Sequence, residues 1–195
     1  GSYFDFIFGF SDQKMDGSFD FEVKGFKEIN GVDVKGVGPI GVRFVSINRN
    51  HFGFSFEISY ERYDSKEKKL DSVIFEKNYF KVGSLTFDID FLFNTFLTNS
   101  LGLYFGIGVG MGINKVSSNY IYVSGRKLDE TSLSFLYRFP IGLRFVSNNI
   151  TYFAEARYEG HSVGFDRGTY SSSNPESNSL DFKGMRYCFG IGIRY

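Results

Sequence analysis

Glu159 and His161 stand two residues apart, and Ser162 follows directly. A histidine base, an orienting carboxylate and a hydroxyl nucleophile could split an acyl bond if all three met. In an extended chain successive side chains point to opposite faces, so Ser162 turns away from the other two. The geometry breaks, and His161 reads as a rim histidine. His51 has no acid-and-serine neighbourhood in sequence. Two histidines and one cysteine are too few for a zinc site built from N and S ligands. Cys188 has no partner for an internal disulfide and reads as a small interior residue. The carboxylates Asp12, Asp16, Asp20, Glu22, Asp33, Asp129 and Glu130 do not follow the spacing of a calcium loop and read as solvated charge. We therefore expect no catalytic residue, no metal and no cofactor.

A second set of polar residues is more telling. Arg43, Glu57, Glu61, Asp88, Asp90, Arg138, Arg144, Glu155, Arg157, Glu159, Arg186 and Arg194 each lie one step out of register with a run of large apolar side chains. If that charged face is enclosed, both signs must pair, because an orphaned buried charge costs several kcal/mol. The expected result is an arginine–carboxylate network with trapped water. Arginine suits it better than lysine, since its planar fork bridges two carboxylates at once. Two roles stay open for such a network: a filler that sets strand register, or an ion path gated by rearranged pairs.

The elements that would hold these residues are strands. The chain has 25 Phe, 13 Tyr and no Trp, a composition that favours sheet over helix. Its 23 glycines fall largely inside apparent strands, which suggests crowding on one face, as in a narrow closed barrel. Period-two alternation predicts strands over 3–10, 36–47, 51–63, 82–93, 102–112, 132–146, 150–161 and 184–195. Phe87, Phe105, Phe139 and Ile191 belong to one face; Asp88, Gly106, Arg138 and Gly190 belong to the other. No Asp, Glu, Lys or Arg interrupts the apolar rows of these strands; Arg62 comes only after the row that ends at Tyr60. An arginine or lysine facing lipid at mid-bilayer costs about 2–4 kcal/mol, so a charge-free face points to hydrocarbon. One domain spanning 1–195 is expected.

Connection lengths alternate. Residues 48–50, 94–100 and 147–149 form short turns, whereas 11–35, 64–81, 114–131 and 162–179 are long. Short turns at one rim and long extracellular loops at the other are the outer-membrane pattern, and an even strand count then puts both termini at the periplasmic rim. Alternation around 18–26 and 73–80 predicts that strands continue past the bilayer as a projecting sheet. The stretch 171–179 reads as a mobile tip. Phe19, Phe21, Val73, Phe75, Tyr79, Tyr120 and Tyr122 are candidate contacts for a partner; the alternative is that they staple the loops to one another.

With this pattern and an aromatic C-terminus, the chain resembles the transmembrane domain of the OmpA/OmpX group over nearly its whole length. The resemblance implies an all-β, eight-stranded antiparallel up-and-down transmembrane barrel in the bacterial outer membrane, with its long loops at the cell surface. It also implies that Tyr187, Phe189, Ile191, Ile193 and Tyr195 form the signal read by the barrel assembly machinery, with Tyr195 where the group usually has Phe. The expected surroundings are outer-membrane lipid and, through the loops, a host or other extracellular protein. Such a chain would be a non-enzymatic surface scaffold with an adhesin-like role. The alternatives are a narrow porin-like channel, a lipid-modifying enzyme and a soluble lipocalin-like binder with its greasy faces turned inward. Gly1-Ser2 reads as a cloning remnant, so we expect the native chain to be exported and trimmed. Zero net charge and the lack of a basic aromatic patch speak against nucleic acid as a partner.

Overall fold

The computed structural model describes all residues except 24, 25, 49, 71, 72, 76, 124, 125 and 166–177, and the side chains of 20–23, 26, 70, 73, 75, 121–123 and 126 are also left aside. Ten strands are present: β1 (Ser2–Val23), β2 (Phe26–Ile47), β3 (Phe52–Ser65), β4 (Lys68–Leu70), β5 (Val73–Phe75), β6 (Lys81–Phe96), β7 (Leu101–Val123), β8 (Arg126–Ser147), β9 (Ile150–Gly164) and β10 (Ser179–Arg194). Eight of them close into a ring in the order β1-β10-β9-β8-β7-β6-β3-β2, every pair antiparallel. The closing pair runs from Tyr3 opposite Arg194 to Ser18 opposite Ser179, so both termini lie at the rim of the short turns. Closure leaves no unpaired sheet edge, the condition for strands to cross lipid.

Alternation sets what each face carries. Phe6, Phe56, Phe91, Ile107, Phe139 and Ile191 point outward, and Phe135 is 74% exposed. Asp5, Glu57, Asp90, Arg138 and Glu155 point inward, and Arg157 is 0% exposed. This is the orientation expected of a lipid-facing barrel. The lipocalin-like arrangement, with the greasy residues around an inner cavity, is ruled out.

The segments expected to be long loops are built differently. Most of 11–35 and 114–131 is strand, and β1 and β7 reach 22 and 23 residues. A strand needs only about 9–11 residues to cross a bilayer. The excess carries on with the polarity of its two faces exchanged. Met15, Ile29, Val32 and Val34 are buried in the lumen, while Asp12, Lys14, Asp33 and Lys35 face out. This exchange is the signature of a barrel that leaves lipid and enters water. In the third connection the expected continuation near 73–80 is instead a separate hairpin, β4 against β5. Of the tip expected at 171–179, all but residues 178 and 179 lie outside the described residues.

Two glycines make room for the inward charges. Gly108 pairs with Asp90 and Gly110 with Asp88 across β6 and β7. A Cβ on Gly108 would meet the Asp90 carboxylate and the Arg138 stem at 3.0 Å; one on Gly110 would meet the Asp88 carboxylate and the Phe87 carbonyl at 2.8 Å. Gly110→Ala is expected to destabilise the barrel by about 1–3 kcal/mol through overpacking. Denaturant unfolding in micelles measures it, and a wild-type midpoint would contradict the crowding argument.

Candidate functional site

Eleven of the twelve charged residues read from the sequence are buried in the lumen: Arg43, Glu57, Glu61, Asp88, Asp90, Arg138, Arg144, Glu155, Arg157, Glu159 and Arg186. Arg194 is not. It is exposed at the last position of β10, where the lumen opens and no further row of side chains covers it. Asp5 was missed, although it alternates with Phe4 and Phe6 in the same way. It is fully buried and accepts two hydrogen bonds from Arg144, at 2.9 and 2.7 Å.

The charged residues form a stack along the barrel axis. Nearest the short turns, Arg144 clamps Asp5 and lies 4.3 Å over the Tyr3 ring. Arg43 then reaches Glu155 at 2.7 Å, and the Tyr104 hydroxyl donates to the same carboxylate at 2.8 Å. Arg157 sits between Glu57 and Glu155, at 3.0 and 3.1 Å, and also donates to the Cys188 sulfur at 3.0 Å. Arg138 gathers Asp90, Asp88 and Glu57 at 2.6, 3.1 and 3.2 Å. Furthest from the short turns, Arg186 pairs with Glu61 and with Glu159, the latter at 3.1 Å. Each arginine fork thus joins residues on different strands, which ties β1, β2, β3, β6, β8, β9 and β10 together across the lumen.

Both ends of this stack are closed by apolar side chains. Tyr3, Val45, Ile47, Leu92 and Tyr104 cluster at the short-turn end. In the projecting half a larger cluster fills the lumen, with Phe19, Val32, Tyr63, Phe80, Leu128 and Phe182 among its members. Tyr63 and Phe182 stack there at 4.6 Å, and Phe19 and Phe80 at 5.6 Å. Tyr63 also donates its hydroxyl to Glu61, so it joins the plug to the charged stack.

The plug corrects the reading of two loop aromatics. Phe19 and Tyr79 are each 4% exposed and belong to the buried cluster, so neither side chain is presented to a partner. Tyr120 is 43% exposed and stacks on Tyr79 at 4.8 Å. The side chains of Phe21, Val73, Phe75 and Tyr122 lie outside the described set. The C-terminal residues Phe189, Ile191, Ile193 and Tyr195 are exposed in one outward row, with Tyr187 half-buried in it.

The catalytic geometry fails in a way the sequence could not specify. Ser162 faces out. Glu159 engages Arg186. The hydroxyl that reaches His161 Nε2 is that of Ser134 on β8, at 2.5 Å, and Asn114 donates to Ser134 at 2.8 Å. Among the described residues His161 Nδ1 has no hydrogen-bond partner, and none of their acids orients the ring. Ser134 and His161 are both buried, and the His161 ring lies 6.3 Å from the rings of Tyr63 and Phe182 in the plug. Among the described residues no cluster of three or more His, Cys, Asp or Glu side chains could hold a metal.

The chain matches no protein-family model and no curated protein sequence. It is similar in structure to the outer membrane protein OprG from Pseudomonas aeruginosa, at a TM-score of 0.58 and 15% identity over 100% of this chain and 96% of that one. It also aligns with Ail, the attachment invasion locus protein of Yersinia pestis, at a TM-score of 0.46 and 17% identity over 100% and 99%. Neisserial surface protein A aligns at 0.45 and 16%, over 100% and 99%. The likeness to OprG is one of fold: an eight-stranded outer-membrane-type barrel.

Proposed function

We propose that this chain is a non-enzymatic outer-membrane barrel with a closed lumen, whose projecting end is displayed at the cell surface to meet an extracellular protein. The exchange of polarity along the barrel carries the reading. Where the outside is apolar the inside is charged, and where the outside turns polar the inside fills with Phe19, Phe80 and Phe182. A channel would need a wetted path through that plug. The charge stack then acts as filler and as the tie that sets register. The surface available to a partner is the polar outside of the projecting strands and the β4–β5 hairpin, where Ile74 is 53% exposed. The outward row from Tyr187 to Tyr195 suits recognition by the assembly machinery.

Purified barrel in planar bilayers is expected to give no conductance steps. Removing plug volume with Phe80→Ala and Phe182→Ala together is expected to produce them. Steady steps from the wild type would replace the display reading with the channel reading. On intact cells, protease should cut within 66–78 while leaving the strands below intact. Protection of that segment on unbroken cells would place the projecting end on the other side of the membrane.

A further inference from the structure

One cleft on the outer wall lies outside everything described above. It has a volume of about 230 Å³ and is lined by Tyr60, Arg62, Lys81, Gly83, Lys115 and Ser117. Register places it at one level of the barrel. Gly83 on β6 pairs with Arg62 on β3 and with Lys115 on β7, and Lys81 pairs with Ser117. The next row toward the short turns is Tyr60, Leu85 and Ile113, all exposed members of the lipid-facing belt. Two residues of strand separate the rows, roughly 7 Å. Three cations therefore stand where hydrocarbon gives way to headgroups.

The local construction favours an anion. Gly83 carries no side chain, so the cleft has a floor of backbone; a Cβ there would sit 2.9 Å from the Tyr60 hydroxyl, which overhangs it. Arg62 presents a planar fork suited to two phosphate oxygens, and the lysines add point charge. Arg62 bridges to a half-buried Asp64 at 3.3 Å and Lys115 to an exposed Asp129 at 3.2 Å, but both cations are themselves exposed, and such surface pairs are weak and easily exchanged. Elsewhere on this rim, Lys14 and Lys183 stand against Asp12, Asp16 and Asp181, whereas the cleft sets Arg62, Lys81 and Lys115 against Asp64 and Asp129, so the excess of positive charge lies on the β3–β6–β7 side.

We propose that the Arg62–Lys81–Lys115 cleft binds the phosphate of an anionic lipid headgroup, with the acyl chains lying on Tyr60, Leu85 and Ile113. The inference rests on the membrane reading given under the proposed function. Lipid held there would anchor the rim at a set depth and orient the projecting end.

The test uses the full barrel in detergent and native mass spectrometry with phosphatidylglycerol, phosphatidylcholine and inorganic phosphate as separate probes. Phosphatidylglycerol should be retained in preference to phosphatidylcholine. Arg62→Gln, Lys81→Gln and Lys115→Gln should each weaken retention by about fivefold. Lys14→Gln with Lys183→Gln should leave retention unchanged. Unfolding midpoints of all variants show that the barrel is intact. Equal retention by the triple variant overturns the proposal, as does equal binding of free phosphate, which would mark a site for a soluble anion. Failure of the wild type to insert into vesicles would sink the membrane reading itself, whereas insertion without lipid preference sinks only this inference.

Discussion

Arg138→Ala is expected to cost the folded barrel about 3–5 kcal/mol, because it strands carboxylates that are already out of water. Arg138 is 1% exposed. Its Nε and Nη2 donate to the two oxygens of Asp90 at 2.6 and 2.7 Å, and Nη1 donates to Asp88 at 3.1 Å. After truncation Asp90 keeps the Ser55 hydroxyl and Glu57 keeps Arg157, but Asp88 loses its only ion pair among the described residues. Arg138→Lys should fall between wild type and alanine, since an ammonium cannot span both Asp90 oxygens and Asp88 together. Arg138→Met with Asp90→Asn should recover part of the loss by removing charge from both sides. Urea unfolding of barrels refolded in vesicles gives the measurement. A loss within about 0.5 kcal/mol, the range of ordinary surface substitutions, would mean that water screens the stack, and the closed-lumen reading would fail with it.

Ile107→Arg is the complementary change on the opposite face. Ile107 lies midway along the lipid-facing row of β7, between Leu103 and Ile113, and is 59% exposed. In a soluble barrel an arginine at such a position would be nearly neutral. At the midplane of a bilayer it should cost about 2–4 kcal/mol. Asn119→Arg, at an exposed position on the same strand, serves as the control. It lies beyond the belt, where Lys115 already faces out, and should change stability by no more than about 0.5 kcal/mol. Equal effects at the two positions would mean that no hydrocarbon boundary lies between them, and the transmembrane reading would be lost.

The two experiments probe the two halves of one pattern, and that pattern was legible in the chain. Alternation of Leu103, Phe105, Ile107, Val109 and Met111 with glycine is a local property, and it placed the first half of β7 and its outward face, while the rest of β7, to Val123, was read as loop. The same periodicity sorted eleven of the twelve charged residues inward. Arg194 failed because alternation assigns a face but not a depth, and at the rim the inner face is open. Asp5 could have been found by the identical rule. The outward charges Asp12 and Lys14 looked like the start of a loop, because a change of polarity on one face resembles an end of periodicity. It was instead the barrel passing from lipid into water.

Strand identity, facing and barrel class follow from a period of two, which needs only neighbours along the chain. Which inward residues meet does not, because contacts across the lumen depend on how eight strands are staggered around the ring. Arg144 finds Asp5 across 139 positions of sequence, and Ser134 rather than Ser162 finds His161. The aromatic plug and the cation cleft over Gly83 arise in the same way, from rows on separate strands brought level by register. Closure of the ring is a long-range event, and the chemistry inside and around the barrel was written there.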